Sequence, residues 1–194
     1  MSFRIEEKLK IDKNRLVDFK SFLINKTAKQ IYKPRKIQSL YFDNNNYEMY
    51  KDSLEGLTPR KKIRIRNYPD TSDKNLYLET KISSVEGRFK TRKIIDKKKF
   101  IDLKKNGIMD SQYGLCIPVL YVEYSREYLK TKDVRISLDT KINYSLFSGR
   151  NLGEDENLIV ELKTSINKDI DELISEFPLQ RTRFSKYCNG IEKI

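Results

Sequence analysis

The chain has 194 residues, and its 40 Lys and Arg against 28 Asp and Glu give a formal net charge of +12. The absence of His excludes Ser-His and Cys-His nucleophiles and any His-ligated metal site. The charge excess favours polyanionic partners, which include nucleic acid, anionic lipid and phosphate esters. Two widely separated Cys, no apolar run of roughly 20 residues and no signal-peptide pattern predict a soluble, reduced, cytoplasmic protein.

Alternation of apolar and charged residues predicts a first strand over residues 3–11, with Arg4, Glu6 and Lys8 on its charged face. Asp12 is a candidate N-cap for an amphipathic helix over about 13–28. Pro34 is expected to break the chain before a second strand. The remaining predicted elements are strands at 37–43, 60–68, 75–82, 88–92, 117–128, 134–139 and 158–163, helices at about 47–54, 97–105, 169–176 and 179–189, and a polar loop at 147–156.

The stretch 60–68 shows the alternation most clearly. Lys62, Arg64 and Arg66 fall on one face of the predicted strand, and Ile63 and Ile65 fall on the other. For this strand alone, a solvated charged face is the simpler interpretation. The same pattern in seven further strands favours a shared charged surface instead.

Eight strands with short returns predict antiparallel pairing and a sheet that curls or closes into a barrel. If the apolar face were inward, the charges would be solvated. If it were outward, helices would cover it and the charges would line the bore. The predicted amphipathic helices need an apolar surface, so we expect an α+β fold: an eight-stranded antiparallel β-barrel tunnel with helices packed on the outside. We expect one domain over 1–194.

The predicted interior combines twelve basic side chains with four carboxylates. Such a concentration of like charge is unfavourable without a polyanion or screening water, so the pattern predicts a site for several linked phosphates. The basic residues are Arg4, Lys8, Lys62, Arg64, Arg66, Lys81, Arg88, Lys90, Arg92, Arg126, Arg135 and Lys163, and the carboxylates are Glu6, Glu79, Asp139 and Glu161.

An ordered set of short motifs resembles a known family. The opening Arg4-Ile-Glu-Glu-Lys8 is similar to the Arg-x-Glu-x-Lys start of the VTC domain, the polyphosphate polymerase domain of the triphosphate tunnel metalloenzyme (CYTH-like) superfamily. Further matches occur in the expected order across about residues 3–190. They include Lys62-Ile-Arg-Ile-Arg66, Leu78-Glu-Thr-Lys81, Val160-Glu-Leu-Lys163 and Ser185-Lys-Tyr187.

The resemblance implies an enzyme that transfers the γ-phosphoryl group of ATP to a growing polyphosphate chain with Mn²⁺ or Mg²⁺. It implies phosphate binding by Lys8, Arg64, Arg66, Lys81, Lys90, Arg126, Arg135 and Lys186, with hydrogen bonds from Tyr124 and Ser185 and with Glu161 as the metal ligand. Glu6 is a second candidate ligand, although it and Glu79 are more simply explained as partners that balance charge. Arg4, Lys62, Arg88, Arg92 and Lys163 complete the expected substrate-binding set.

Two departures qualify the expected activity. Superfamily triphosphatases typically open with Glu-x-Glu-x-Lys, and Arg4 replaces the first Glu, which removes one metal ligand and favours transfer over hydrolysis. The SPX domain and membrane helices of eukaryotic VTC proteins are also absent from the sequence. A triphosphate or polyphosphate hydrolase and a non-catalytic polyphosphate-binding module stay open, whereas nucleic acid is not an expected partner.

Overall fold

The computed structural model describes residues 5–132, 134–164, 168–177 and 179–194, and these form an α+β fold with a mostly antiparallel sheet. The helices are α1 (Leu16–Asn25), α2 (Glu48–Glu55), α3 (Lys97–Asn106), α4 (Lys168–Glu176) and α5 (Lys186–Ile191). The strands are β1 (Ile5–Asp12), β2 (Lys29–Asp43), β3 (Arg60–Asn67), β4 (Leu76–Ser84), β5 (Gly87–Ile95), β6 (Ile108–Asp110), β7 (Gly114–Thr131), β8 (Val134–Leu146), β9 (Asn151–Glu154), β10 (Asn157–Thr164) and β11 (Gln180–Arg181).

The chain folds into two compact units, each built from three separate segments. Unit 1 comprises Met1–Arg35, Tyr124–Ile142 and Glu154–Phe184, and unit 2 comprises Lys36–Glu123, Asn143–Gly153 and Ser185–Ile194. The single domain over 1–194 stays a prediction. No helix in the described part of the chain is long and apolar enough to cross a bilayer.

In unit 1, β1 pairs with β10 and β11, and β10 pairs with β8, all antiparallel. The apolar faces of these strands bury Leu9, Leu138 and Val160, and the same core contains Phe19 from α1 and Leu173 from α4. Burying aliphatic side chains of this size contributes about 1.5–3 kcal/mol each. The prediction that helices pack on the apolar strand faces is therefore confirmed in this unit.

In unit 2, β3 pairs antiparallel with β2 and with β4, and β4 forms a hairpin with β5. Ile63 and Ile65 are buried on one face of β3, as the alternation predicts. Arg64 and Arg66 are also buried, at 9% and 7% exposure, so the other face of this strand is not simply solvated.

Several sequence-based boundaries are wrong, and the strands predicted at 88–92 and 134–139 extend to Ile95 and Leu146. The second strand starts at Lys29 instead of 37 and continues through Pro34, which lies outside the segment that pairs with β3, so its missing N–H costs no bond there. The predicted loop at 147–156 contains β9, which pairs with β8. The predicted helix at 179–189 begins only at Lys186, because Gln180 and Arg181 pair with β1 instead.

The number of strands also differs from the prediction, since the described residues form eleven strands instead of eight. Several of the additional strands are short, and β6, β9 and β11 have two to four residues each. Neither unit closes the pairings of its described strands into a ring. The closed eight-stranded barrel stays a prediction.

Candidate functional site: two clusters of charged side chains

Antiparallel pairing in unit 2 places basic residues of three strands directly opposite one another. Lys62 on β3 is paired with Lys81 on β4, which is paired with Lys90 on β5. In the neighbouring row, Glu79 lies between Arg64 and Arg92. Like charges in directly opposite positions repel, so this arrangement destabilises the sheet unless anions compensate it. We call the surface formed by Lys62, Arg64, Arg66, Glu79, Lys81, Lys90 and Arg92 the cationic face.

Glu79 is the carboxylate that balances part of this charge. Its Oε2 accepts from Arg64 Nε and Nη2 at 2.9 and 2.7 Å, and its Oε1 lies 2.5 Å from Lys90 Nζ and 3.5 Å from Arg92 Nε. Burial alone would raise the pKa of Glu79, but Arg64, Arg66 and the Lys90 hydrogen bond lower it to about 2. The expectation that Glu79 balances charge agrees with these contacts.

Two neighbours on β2 hold the buried arginines in place. Arg64 Nη1 donates to Tyr41 Oη at 2.9 Å, and Arg66 Nε donates to Ser39 Oγ at 3.1 Å. Burial would raise the pKa of Tyr41, but Arg64, Arg66 and Lys186 lower it to about 8. Ser39 and Tyr41 were not predicted as site residues, although both lie on the predicted strand 37–43. Ser39 is paired with Arg66 and Tyr41 with Arg64.

The start of α5 adds Ser185 and Lys186 to unit 2. Ser185 caps the helix by accepting from Cys188 N, and its Oγ also accepts from Lys62 Nζ at 2.8 Å. Burial lowers the pKa of Lys62. Tyr187 in the first turn stacks on Tyr41 at 5.1 Å between ring centroids and donates to Asp43 Oδ2 at 2.5 Å. These contacts fix the helix start beside the cationic face.

The basic residues of β4 and β5 are more accessible. Lys81 and Arg88 are less buried than the β3 arginines, and the side chains of Lys90 and Arg92 are each 41% exposed. Arg92 also lies over the Tyr77 ring, with its guanidinium carbon 3.5 Å from the ring centroid. The cationic face therefore combines buried, fixed arginines on β3 with solvent-accessible cations on the hairpin β4–β5.

Unit 1 contains a second cluster, on β7, β8 and β10. Arg126 makes a two-point contact with Asp139, with Nε to Oδ1 at 2.5 Å and Nη2 to Oδ2 at 2.7 Å. Arg126 Nη2 also lies 3.5 Å from Glu161 Oε2, and Lys163 Nζ lies 2.7 Å from Glu161 Oε1. Burial alone would raise the pKa of Glu161, but the charges of Arg126 and Lys163 hold it well below its ordinary value.

The other predicted site residues of unit 1 differ in their burial and in their contacts with this cluster. Lys8, paired with Glu161, donates from Nζ to the Phe184 carbonyl at 2.8 Å. Tyr124 is buried, and the Arg126 guanidinium carbon lies 5.4 Å from its ring centroid. Arg135 is exposed and is paired with Lys163. Arg4 lies outside the described residues.

The candidate metal ligands are Glu161 and Glu6, and Lys163 contacts both, with Nζ 3.4 Å from Glu6 Oε2. In the described part of the chain, no group of three or more His, Cys, Asp or Glu side chains could hold a metal ion by itself. Mg²⁺ is commonly held by one or two carboxylates together with substrate phosphates. Two carboxylates on adjacent strands fit that kind of metal site, with the substrate supplying the other ligands.

Comparison with solved structures shows a shared fold at low sequence identity. An adenylate cyclase candidate (bh2851) from Bacillus halodurans is 14% identical, with a TM-score of 0.63 over 95% of this chain and 96% of that one. The PH1012 protein of Pyrococcus horikoshii is 15% identical, with a TM-score of 0.62 over 99% of both chains. HpAC1 from Hippeastrum, an adenylyl cyclase candidate with a dominant triphosphatase activity, is 15% identical, with a TM-score of 0.61 over 98% of this chain and 96% of that one.

No curated protein sequence matches the chain. The family comparison, in contrast, covers nearly all of it: the VTC domain matches residues 3–194. This match includes the strands of both charged clusters. The chain belongs to the VTC domain family.

Proposed function

We propose that the chain is an ATP-dependent polyphosphate polymerase that transfers the γ-phosphoryl group of ATP to a polyphosphate chain. The observation that carries this proposal is the cationic face, where six basic side chains from β3, β4 and β5 lie together with the carboxylate of Glu79. Repulsion among those cations is relieved when several linked phosphates bind. We also propose that the sheet closes into the eight-stranded antiparallel barrel tunnel that the family resemblance implies.

Phosphoryl transfer requires in-line positioning and stabilisation of charge more than covalent chemistry by the protein. Arg64 and Arg66, held by Tyr41, Ser39 and Glu79, are suited to bind phosphate oxygens through their planar forks. The accessible Lys81 and Lys90 would hold further phosphates as point charges. Lys62, Lys186 and Ser185, which lie at or near the start of α5, would contact the polyphosphate.

Unit 1 would contribute Lys8, Arg126, Arg135, Lys163 and Tyr124 to phosphate binding. In this proposal Glu161, with Glu6, holds Mn²⁺ or Mg²⁺, which would neutralise charge on phosphate oxygens when bound. The terminal phosphate of polyphosphate is already an anionic nucleophile. No strong general base is then required, and the absence of His is compatible with the reaction.

The main alternative is a metal-dependent hydrolase of triphosphate or short polyphosphate. The dominant triphosphatase activity of HpAC1, which shares the fold, favours this alternative. Hydrolysis must activate water, for which an additional carboxylate or metal helps, and the sequence has Arg4 where superfamily triphosphatases typically have Glu. We therefore prefer phosphoryl transfer to hydrolysis as the proposed activity. A non-catalytic polyphosphate-binding module is the third candidate.

One incubation separates the three functions. Purified protein is mixed with ATP and Mn²⁺, the products are separated on a gel stained for polyphosphate, and free phosphate is assayed in parallel. Long chains support the polymerase. Release of phosphate without chains, especially from added triphosphate, supports the hydrolase, and binding without either product leaves the binding module.

The same assay tests the role of Arg66. We expect Arg66→Ala to abolish turnover while the protein remains folded, and Arg66→Lys to restore only part of it, because Lys lacks the planar fork. Lys93→Ala is a matched control, since Lys93 is paired with Leu78 on the opposite face of the same hairpin. Turnover by Arg66→Ala near the wild-type rate would contradict the assignment of the cationic face as the active surface.

A further inference from the structure

Unit 2 contains a cavity of about 520 Å³ on the sheet face opposite the cationic face. Leu40, Ile65 and Leu76 are apolar residues that line it. Successive strand residues point to opposite faces, so Ile65 projects away from the side that carries Arg64 and Arg66. The cavity is therefore separate from the surface to which the proposed function assigns the phosphate chain.

The polar lining of this cavity is neutral or acidic. Asn67, Asn143 and Asn151 contribute amides, and Glu123 contributes a carboxylate that accepts from Gln38 Nε2 at a long 3.4 Å. Among the described residues, none of the lining side chains is basic. In a chain with a net charge of +12, such a lining does not select the anionic part of a ligand.

The chemistry of the lining matches a nucleoside. Amides both donate and accept, as the edges of nucleobases require, and a carboxylate can accept from ribose hydroxyls. Phe100 and Tyr121 also line the cavity, and Lys104 Nζ lies over the Phe100 ring, 5.3 Å from its centroid. Aromatic side chains are suited to stack on a nucleobase. The volume also lies within the roughly 300–1,000 Å³ typical of small-molecule sites.

An adjoining cavity supplies the positive charge that the first one lacks. It has a volume of about 410 Å³, shares Leu76 and Phe100 with the first cavity, and is also lined by Lys74 and Lys97. We propose that the two cavities together form a nucleotide site, which holds the nucleoside among the amides and Glu123 and the phosphate at Lys74 and Lys97. This site lies apart from the proposed catalytic surface and goes beyond the proposed function.

Titration calorimetry of the full chain with AMP tests this proposal, because AMP lacks the triphosphate that the cationic face would prefer. We expect saturable binding at one site. Glu123→Gln should weaken AMP binding about tenfold, which corresponds to the loss of one hydrogen bond to a charged group. Lys97→Glu should also weaken it several-fold, because it reverses a charge beside the phosphate. Lys98→Glu, a neighbouring exposed lysine on α3 that lines neither cavity, is the matched control and should bind like wild type.

Three results with AMP would overturn the nucleotide site, and a fourth comes from ribose 5-phosphate. They are an absence of AMP binding, unchanged affinity in Glu123→Gln or Lys97→Glu, and loss of AMP binding in Arg66→Ala, which would place AMP on the cationic face. Ribose 5-phosphate that binds as tightly as AMP would also overturn it, because the cavity would then recognise the sugar phosphate and not the base. Thermal unfolding of each variant verifies its fold. The titration needs no catalysis, so a failure to synthesise polyphosphate would leave its result intact.

Discussion

At the residue scale, Glu79 is the side chain on which the cationic face depends. Its carboxylate is fully buried and contacts Arg64, Lys90 and Arg92. A buried charge that loses its partner is strongly destabilising, because desolvation of the remaining charge is no longer offset. Glu79 therefore allows the arginines to fold next to one another before any phosphate binds.

Replacing Glu79 with Gln should lower the free energy of unfolding by about 3 kcal/mol, within the range for breaking a buried ion pair. Tripolyphosphate should stabilise this variant more than wild type, because its charge replaces that of the lost carboxylate. Thermal unfolding with and without tripolyphosphate measures both effects. Glu86→Gln, at the exposed turn of the same hairpin, is the control and should behave like wild type. Equal stabilisation of Glu79→Gln and wild type would contradict this role.

The same pair of proteins gives a pH prediction. The pKa of Glu79 is lowered from 4.5 to about 2, so its stabilising contribution is complete above pH 4.5 and is lost as the pH falls through about 2. Urea unfolding at successive pH values should show the largest difference between wild type and Glu79→Gln near neutrality. That difference should shrink between pH 4.5 and 2. A difference that does not change with pH would show that the ionised form of Glu79 does not contribute to stability through its ion pairs.

At the element scale, the rows of paired cations come from strand register, which the sequence predicts only in part. Alternation identified the charged faces of the strands, because period two is a local property. It could not show that Lys62, Lys81 and Lys90 are direct partners, since register depends on the turns between strands. The part played by Tyr41 and Ser39 in holding the arginines follows from the same non-local pairing.

Short elements were the least predictable. Gln180 and Arg181 form a two-residue strand because they pair with the edge of β1. The local sequence pattern of 179–189, in contrast, is typical of a helix. In contrast, the helix over Lys97–Asn106 was predicted within one residue, because Asp96 caps it and Gly107 follows it. Local capping signals therefore outperformed patterns whose outcome depends on distant strands.

The row of lysines predicts an unusual response to mutation. Lys81 lies between Lys62 and Lys90, so Lys81→Ala should leave stability unchanged or raise it slightly in low salt, by relieving like-charge repulsion. The same substitution should weaken tripolyphosphate binding several-fold. Thermal unfolding and titration calorimetry measure the two effects, with Lys93→Ala on the opposite face as control. A clear loss of stability with unchanged binding would show that Lys81 has a structural role instead.

At the scale of the whole molecule, the net charge and its distribution both favour a polyanionic ligand. The net charge is +12, and unit 2 gathers basic side chains on one sheet face while the opposite face has a cavity with a neutral or acidic lining. Surface charge spread evenly for solubility would not produce this separation. The separation predicts that polyanion binding is dominated by electrostatics, whereas AMP binding in the cavity depends more on hydrogen bonds and stacking.

Ionic strength distinguishes the two kinds of binding. The Debye length falls from about 10 Å at 0.1 M salt to about 3 Å at 1 M, so accessible cations such as Lys81 and Lys90 lose most of their reach. We expect tripolyphosphate affinity, measured by titration calorimetry, to fall by at least about tenfold over this range. At about 100 times its dissociation constant in low salt, tripolyphosphate should stabilise the fold by about 2.7 kcal/mol, and at the same concentration in high salt this stabilisation should fall to about 1.4 kcal/mol or less. AMP affinity should change much less, and an equal salt dependence for the two ligands would show that both bind through the cationic face.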